Sequence, residues 1–383
     1  MKTKPDATRS GRDLRFDTLR GLLLICMTVN HLPTELRVVT DQSLGLFTAA
    51  EGFVFLSGLL AGWVYTRKLR EHGPGGLWSA VLTRVRTIYL WHVASFIGAF
   101  LCVQLAEHAF GFCSPNVPRL FFQHPVASLG LGLTLLYQPG LLDLLPMYCV
   151  FVAVLPAVIR GLESGHRRLV LGVSAAVWFA AQWAPAIAGA PSYPINTGSF
   201  NLLAWQFIFV AGVAIGHARV SGLAQVARPN PGVVLAAAVL AAYGFGIRHY
   251  GWPSLWPEDV FGVLLNKPAL GLLRLADFGA VAYLVAIAGE RFPWALSVRP
   301  LEFLGRHSIA VVAAQSVAIM ALLQFQALFA TPGSRTAIAL GAVAFVFAVA
   351  AAHQAVQNRR RRSGALPPKR VSPPGGRTLS PTA

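Results

Sequence analysis

Charged residues are scarce in this sequence, at 12% of its 383 residues. Soluble globular domains carry about 25% charged residues, so the composition excludes that class. Cysteine is also scarce: there are four, with no pair at the spacing of a metal or redox motif, so they are expected to pack as small apolar side chains. We therefore expect no metal site. Polar linkers are lacking between residues 18 and 357, which argues against several soluble domains and favours one membrane domain.

Long apolar segments dominate the chain, which is 55% hydrophobic with a mean hydropathy of +0.57. A helix that crosses ~30 Å of hydrocarbon needs about 20 apolar residues. Segments of this kind lie at 18–36, 44–66, 87–105, 141–159, 169–186, 201–217, 232–247, 274–290, 308–328 and 336–356. The sequence predicts an all-α, polytopic membrane helix bundle of about ten transmembrane helices. The half-apolar stretch at 120–137 fits an interfacial or re-entrant helix.

The net charge of +17 is distributed as a topology signal. With the N-terminus inside, 26 of the 32 lysines and arginines fall in inside segments, as the positive-inside rule requires. We therefore predict cytoplasmic termini at both ends and a multi-pass protein of the bacterial inner (plasma) membrane. The basic residues do not form a stripe interleaved with aromatics, so nucleic acid is not an expected partner.

Three regions follow from this topology. Residues 1–14 form a basic cytoplasmic N-terminus, and residues 15–356 form the transmembrane domain. The segment 357–383 is rich in Arg, Pro, Ser and Gly, and it is expected to be a disordered basic cytoplasmic tail. Its arginine run is expected to contact anionic membrane lipids.

Ionisable groups inside membrane spans are costly and often mark a functional pathway. The stretch RFDTLRGLLLICMTVNH begins at Arg15 and ends at His31. Asp17 and Arg20 lie three residues apart on one helix face and can pair, so they either cap the helix or act in function. An imidazole such as that of His31 is the usual proton acceptor when a hydroxyl group is activated. Asn30 precedes it.

Two further motifs extend this pattern. Glu51, in AAEGFVFLSG, is expected at a depth similar to that of His31, where a carboxylate would fix the imidazole tautomer. It could equally be an N-terminal charge favoured by the helix dipole. Arg84 and Arg86, in TRVRTIYLWH, suit an anionic, phosphate-bearing ligand at the inner surface, although positive-inside anchoring explains each of them too.

Other polar residues lie at the outer ends of later spans or near spans eight and nine. They either cross-link helices or line a cavity, and spacing alone does not separate the two interpretations. These residues are Asp143, Asn201, Trp205, Gln206, Lys267, Arg274 and Arg306.

Seven segments together resemble the OpgC family of glucan succinyltransferases, which is related to acyltransferase-3 proteins and heparan glucosaminide acetyltransferases. In order, they are RDLRFDTLRG…NHLP, AAEGFVFLSGLLAGWVY, RTIYLWH, LLDLLPMY, FNLLAWQFIFVAG, NKPALGLLRLADF and LEFLGRHSIAVVAAQ. They span residues 12–315. Each motif is weak alone, and the seven in order are specific.

The resemblance implies transfer of an acyl group, succinyl in this family, from cytoplasmic acyl-CoA to a hydroxyl of a periplasmic glucan or related glycan. His31 would be the general base, oriented by Glu51 or Asp143, with Asn30 or Arg/Lys donors stabilising the oxyanion. The residues expected to bind acyl-CoA are Arg15, Arg20, Arg84, Arg86 and Arg306. The residues expected to bind substrate are Asn201, Trp205, Gln206, Lys267 and Arg274, with Lys267 or Arg274 pairing a succinyl carboxylate. The spacing from Arg84 to Arg86 departs from the Arg-x-x-Arg pattern of acyltransferase-3 relatives.

A transporter or flippase that moves a glycan or lipid without acyl chemistry is the main alternative, because intramembrane His, Arg and Asp also fit a relay. No inverted repeat or matching pair of Gly/Pro-broken helices is visible in the sequence, which weighs against it. Acetyl transfer to an amine is a third interpretation. Dependence on acyl-CoA would separate the first two.

Overall fold

The structure is a computed structural model, and it describes residues 13–110, 120–183, 198–223 and 229–363. These residues form helices and connecting turns, with no strand among them. In chain order the helices are α1 (Leu14–Asn30), α2 (Arg37–Thr40), α3 (Ala49–Phe110), α4 (Leu120–Gln123), α5 (Pro125–Leu133), α6 (Leu144–Glu163), α7 (Arg167–Trp183), α8 (Leu202–Val220), α9 (Pro231–Tyr250), α10 (Glu258–Leu264), α11 (Leu272–Arg291), α12 (Arg299–Arg306), α13 (Ser308–Leu322) and α14 (Pro332–Arg362). The predicted all-α class is confirmed.

Six of the described helices are long and apolar enough to cross a membrane: α3, α6, α8, α9, α11 and α14. Helices α12 and α13 meet at an angle of 83° and would add a seventh span if they are taken together. These helices fit a membrane protein. The count of ten spans and the orientation of the termini stay predictions, since α1 and α7 each have only 17 residues.

Helix α3 contains two predicted spans, 44–66 and 87–105, in one element. The chain stays helical on both sides of a single break at Gly73, which has a φ of 68°. Pro74 follows it and lacks the N–H group that a continuous helix would need. The polar segment between the two predicted spans is therefore helical on both sides of this break, because low hydropathy there marks the edge of the apolar zone rather than the end of the helix.

Two predicted boundaries also shift. Helix α1 ends at Asn30, so the last part of segment 18–36 forms turns that lead into the short helix α2. Helix α14 continues to Arg362, so residues 357–362 are helical and not disordered as predicted. The predictions for 1–12 and 364–383 lie outside the described residues.

The half-apolar stretch at 120–137 packs against the second arm of α3. The Tyr89 hydroxyl donates to the carbonyl of Leu133 at 3.0 Å, and His92 Nε2 lies 3.1 Å from the carbonyl of Gly132. These contacts place the turn after α5 beside the middle of α3. The stretch is therefore inserted against the bundle, and His92 has the structural role that its position suggests.

Helix α8 packs against the first arm of α3 through small residues on both helices. A Cβ atom on Gly58 or Gly62 would collide with backbone carbonyls of α8, and one on Gly212 or Gly216 would collide with the backbone of α3. Absence of side chains at all four positions lets the two backbones meet directly.

Helices α1 and α12 meet in the same way. A Cβ atom on Gly21 would collide with the carbonyl of Leu301, and one on Gly305 would collide with the carbonyl of Asp17. This contact places the start of α1 against the bend between α12 and α13. The two close-packed pairs, α3 with α8 and α1 with α12, frame the cavity described next.

Candidate functional site

A cavity of about 560 Å³ follows one face of the first arm of α3. The α3 residues along it recur at helical spacing, so they form a single stripe. They include Phe53, Ser57, Ala61, Val64, Lys68 and Glu71. Eighteen residues separate Phe53 from Glu71, which is about 27 Å along a helix. The cavity therefore extends over most of the ~30 Å thickness of a hydrocarbon core.

The two ends of the cavity differ in chemistry. At one end, which we call the basic end of the bundle, the lining residues Arg67, Lys68 and Arg84 carry positive charge, and both arginines are exposed. At the closed end the lining side chains include Phe53 at 3% exposure and Tyr148 at 7%. The cavity is therefore open and cationic on one side and enclosed, with aromatic walls, on the other.

Two of the five arginines predicted to bind acyl-CoA line this cavity. Arg84 lies at its basic end and Arg20 near its closed end. Arg20 Nη2 donates to the Ser308 hydroxyl, and its guanidinium carbon lies 5.5 Å from the ring centroid of Phe53. One of the predicted cations therefore lies at each end of the cavity.

The other three arginines lie elsewhere. Arg15 pairs with Asp13 at 2.6 Å and donates to the carbonyl of Gly289 at 2.9 Å, so it ties α1 to α11. Burial opposes ionisation of Asp13, but the hydrogen bond and charge of Arg15 outweigh it and hold the pKa of this carboxyl below its ordinary value. Arg86 is exposed and does not line the cavity.

Arg306 is also engaged in ion pairs. Its Nη2 lies 3.4 Å from Glu302, four residues earlier, and its Nε lies 3.9 Å from Asp17. These contacts hold α12 against α1. Arg306 therefore has a structural explanation that needs no ligand.

His31 follows the last residue of α1, at the end of the bundle opposite the basic end, which we call the distal end. Its Nδ1 lies 2.6 Å from the carbonyl of Met27. Because a carbonyl only accepts, Nδ1 carries the proton in this arrangement and Nε2 keeps its lone pair. His31 is exposed, and Nε2 has no hydrogen-bond partner among the described residues. The ring is therefore oriented as a base.

The carboxylate predicted to orient His31 is not there. Glu51 is fully buried and pairs with Arg274 Nε, while its other oxygen accepts from Thr48 N at 3.0 Å. Asp143 accepts from Ser199 N at 2.9 Å. The prediction that Glu51 or Asp143 orients the imidazole was wrong, since the Met27 carbonyl does so.

Helix register explains the error for Glu51. Gly52 lies beside the Leu23 side chain, so the start of α3 is level with the middle of α1. His31 comes eight residues after Leu23, which is about 12 Å farther along the axis. The expectation of similar depth failed because α1 extends well past the first turn of α3.

Arg20 and His31 nevertheless lie on the same face of α1. Eleven residues separate them, which is close to three full turns and about 16 Å. Leu24 and Met27 occupy the same face between them and are 0% and 8% exposed. The closed end of the cavity and His31 are therefore aligned along α1, with two apolar side chains between them.

Asn30 is engaged with the turn that follows it. Its Nδ2 donates to the carbonyl of Thr40 at 3.1 Å, and its Oδ1 accepts from the Thr40 hydroxyl. The side chain holds α2 against the end of α1. The geometry therefore gives Asn30 a structural role in place of the predicted oxyanion contact.

Three of the residues predicted to bind substrate also have structural partners. Asn201 is the N-cap of α8 and accepts from Leu203 N and Ala204 N at 3.0 and 3.2 Å. Gln206 exchanges hydrogen bonds with Ser174 on α7. Arg274 is committed to Glu51. These three residues cross-link or cap helices, so the cross-linking interpretation of the sequence applies to them.

Trp205 holds the loop that carries Lys267. Its indole N–H donates to the carbonyls of Lys267 at 3.3 Å and Pro268 at 3.1 Å. The next two carbonyls accept from Gln182 Nε2 at 2.8 Å and from Trp178 Nε1 at 3.0 Å. We call residues 267–270 the carbonyl shelf, because all four carbonyls accept side-chain hydrogen bonds.

Lys267 itself is exposed, and its positive charge acts electrostatically on both His31 and Asp143. Arg37 and Asp41, which pair at 3.5 Å, also act on His31. The distal end thus contains the His31 imidazole, oriented by the Met27 carbonyl, and Lys267, whose backbone carbonyl is held by Trp205. Of the predicted substrate-binding residues, Lys267 is the one left available.

Sequence reasoning did not include Tyr148 or Ser57 among the candidate site residues. Both line the closed end of the cavity. For Ser57, the signal available in the sequence was its helical spacing with the other α3 residues that line the cavity. Three cysteines, Cys26, Cys102 and Cys149, are free as expected, and Cys113 lies outside the described residues. Within those residues no cluster of three or more His, Cys, Asp or Glu side chains is placed to hold a metal.

Comparison with known proteins gives one family. No curated protein and no solved structure matches the chain significantly. The family model described as OpgC protein matches residues 12–360, nearly the whole chain, including both ends of the cavity and the distal histidine. This match agrees with the order of motifs read from the sequence. The chain therefore belongs to the OpgC family of glucan-modifying acyltransferases.

Proposed function

We propose that this protein transfers an acyl group, succinyl as the donor of first choice, from cytoplasmic acyl-CoA to a hydroxyl of a periplasmic glucan or related glycan. The observation that carries the proposal is the cavity along α3, which is cationic at its open end and about 27 Å long. A long anionic thioester requires a site of this shape and charge. Acyl-CoA acts as co-substrate.

The donor would enter at the basic end, which the distribution of basic residues assigns to the cytoplasm. Arg67, Lys68 and Arg84 there complement the phosphates of CoA. Aromatic and apolar walls farther in, such as Trp63 and Phe209, suit the less polar arm and the acyl group. Membrane lipids surround the bundle and take no part in the reaction.

His31 would act as the general base on the acceptor hydroxyl. The Met27 carbonyl fixes the tautomer, and Nε2 is free to accept the proton as the oxygen attacks the thioester carbonyl. Lys267, held by the carbonyl shelf, would stabilise the oxyanion that forms. The leaving thiolate then takes the proton from the imidazolium, which balances the transfer.

The acyl carbon must pass from the closed end of the cavity to His31. Leu24 and Met27 occupy that path on α1, so transfer requires their side chains to rotate away. Both are flexible aliphatic side chains, and methionine in particular adapts its shape at low cost. The separation keeps water and CoA thioester apart until a donor is engaged.

Mass spectrometry of periplasmic glycans tests the proposal. Cells that lack the protein, or carry His31→Gln, are expected to lose one ester mass, because glutamine keeps a hydrogen-bond donor for Met27 but has no basic nitrogen. The ester mass identifies the acyl group. His166→Ala, at an exposed position in the loop before α7, serves as the matched control and is expected to keep the ester.

Unchanged glycans in cells without the protein would overturn the proposal and favour the transporter. Full acylation by a folded His31→Gln protein would leave acyl transfer standing and remove His31 as its base.

A further inference from the structure

Four hydrogen-bonding side chains converge at the closed end of the cavity. Arg20, Ser57, Tyr148 and Ser308 all line it, and each comes from a different helix or helix face. Three of them are hydroxyls, and Arg20 supplies the positive charge. Among the described residues, the two carboxylates of the lining, Asp13 and Glu71, belong with the basic end. The group therefore offers donors and a cation to whatever occupies the space.

The hydroxyl of Tyr148 is buried without a hydrogen-bond partner among the described residues. The residue is 7% exposed, and its ring packs edge-on against Phe53 at 6.1 Å between centroids. Ser57 is a close neighbour of this hydroxyl but does not form a hydrogen bond with it, and the charge of Arg20 acts on it electrostatically. A buried polar group without a partner costs stability, and native structures keep few of them. Tyr148 lines the cavity, so a ligand that displaces its neighbours slightly would supply the missing acceptor.

Arg20 is held so that its charge faces the same space. The Ser308 hydroxyl fixes one nitrogen, and the Phe53 ring fixes the plane of the guanidinium. A planar guanidinium presents several donors in a fixed geometry that matches carboxylate and phosphate oxygens. The Arg20 guanidinium and the Tyr148 hydroxyl thus provide hydrogen-bond donors from two different helices at the closed end of the cavity.

We propose that Arg20, Tyr148 and Ser57 form a subsite that binds an anionic oxygen of the acyl-CoA donor, with Tyr148 as a ligand-contacting residue. The inference rests on the proposed function. Two sources could supply this oxygen: the free carboxylate of a dicarboxylic acyl group, or a phosphate of CoA. In either case the Tyr148 hydroxyl donates one hydrogen bond to it.

Binding of three ligands to the purified full-length protein in lipid nanodiscs tests the subsite. Succinyl-CoA, acetyl-CoA and free CoA are titrated against the wild type and Tyr148→Phe by calorimetry. We expect binding of at least one ligand to weaken about tenfold, as loss of a hydrogen bond to a charged group produces. Weakening confined to succinyl-CoA identifies the acyl carboxylate, and equal weakening of all three identifies a phosphate.

The variant removes a single oxygen atom that forms no hydrogen bond with any described residue. The melting temperature of Tyr148→Phe is therefore expected to equal or exceed that of the wild type, which separates lost binding from lost folding. Tyr283→Phe, on α11 and outside the cavity lining, is the matched control and should bind all ligands as the wild type does. Ser57→Ala repeats the test from the α3 side, should Tyr148→Phe unfold.

Equal affinities of the wild type and Tyr148→Phe for all three ligands would overturn this inference alone. Failure of the wild type to bind any of the three would overturn both the subsite and the proposed donor.

Discussion

At the distal end, the four carbonyls of the carbonyl shelf accept hydrogen bonds from side chains of α7 and α8. At the closed end of the cavity, by contrast, the buried hydroxyl of Tyr148 has no hydrogen-bond partner among the described residues. The shelf is complete in itself and places one lysine. Under the proposed function, a ligand would supply the partner that this hydroxyl lacks. This difference distinguishes structural residues from candidate ligand-binding residues. Residue type alone does not distinguish them, because Trp205 and Tyr148 are both buried aromatic residues with a polar atom.

The buried ion pair between Glu51 and Arg274 gives the largest expected effect. Arg274→Met leaves Glu51 charged and buried at 0% exposure, which costs about 3–5 kcal/mol in similar sites. The double variant Glu51→Gln/Arg274→Met removes both charges and is expected to recover most of that loss. Unfolding of the purified protein in detergent measures both. A single variant as stable as the double variant would show that Glu51 finds another partner and would break the comparison.

Much of the fold could be predicted from the sequence. The pair of Glu51 with Arg274 is an example of a contact that could not. Hydropathy and the spread of basic residues located ten apolar segments, and each falls on a described helix. The same signal failed between residues 66 and 87, where the helix continues after its apolar part ends. Contacts inside one helix, such as His31 with Met27, follow from spacing of four residues. Contacts such as Glu51 with Arg274 join residues 223 positions apart, and no local pattern encodes them.

Loss of the indole N–H from the carbonyl shelf should have an intermediate effect. Trp205→Phe keeps an aromatic ring beside Phe200 but removes the indole donor. The carbonyls of Lys267 and Pro268 still accept from backbone N–H groups, so the cost is that of a net hydrogen bond, about 0.5–1.5 kcal/mol. Glycan acylation should also fall, because Lys267 loses its fixed position. Trp183→Phe, at 78% exposure on α7, is the control and should change neither. Wild-type stability and acylation in Trp205→Phe would mean that the shelf does not depend on this contact.

The smallest expected effect compares two arginines on one helix. Arg84 lines the cavity and Arg86 does not, although they are two residues apart and both exposed. Exposed charge pairs contribute about 0.2–1 kcal/mol, so Arg84→Ala should raise the KM for acyl-CoA about two- to fivefold while kcat stays unchanged. Arg86→Ala should leave KM unchanged. Equal effects of the two substitutions would indicate general attraction of anions to the basic end instead of contact within the cavity.

The glycine contacts also determine which parts of the bundle can move independently. Helices α3 and α8 touch backbone to backbone, as do α1 and α12, so each pair behaves as a rigid body with little freedom to slide. The stacking of Arg20 on Phe53 crosses the seam between these two bodies. A change in cavity width must therefore occur as a hinge-like displacement along that seam. The contact between the Arg20 guanidinium and the Phe53 ring is the contact across that seam which such a displacement would change.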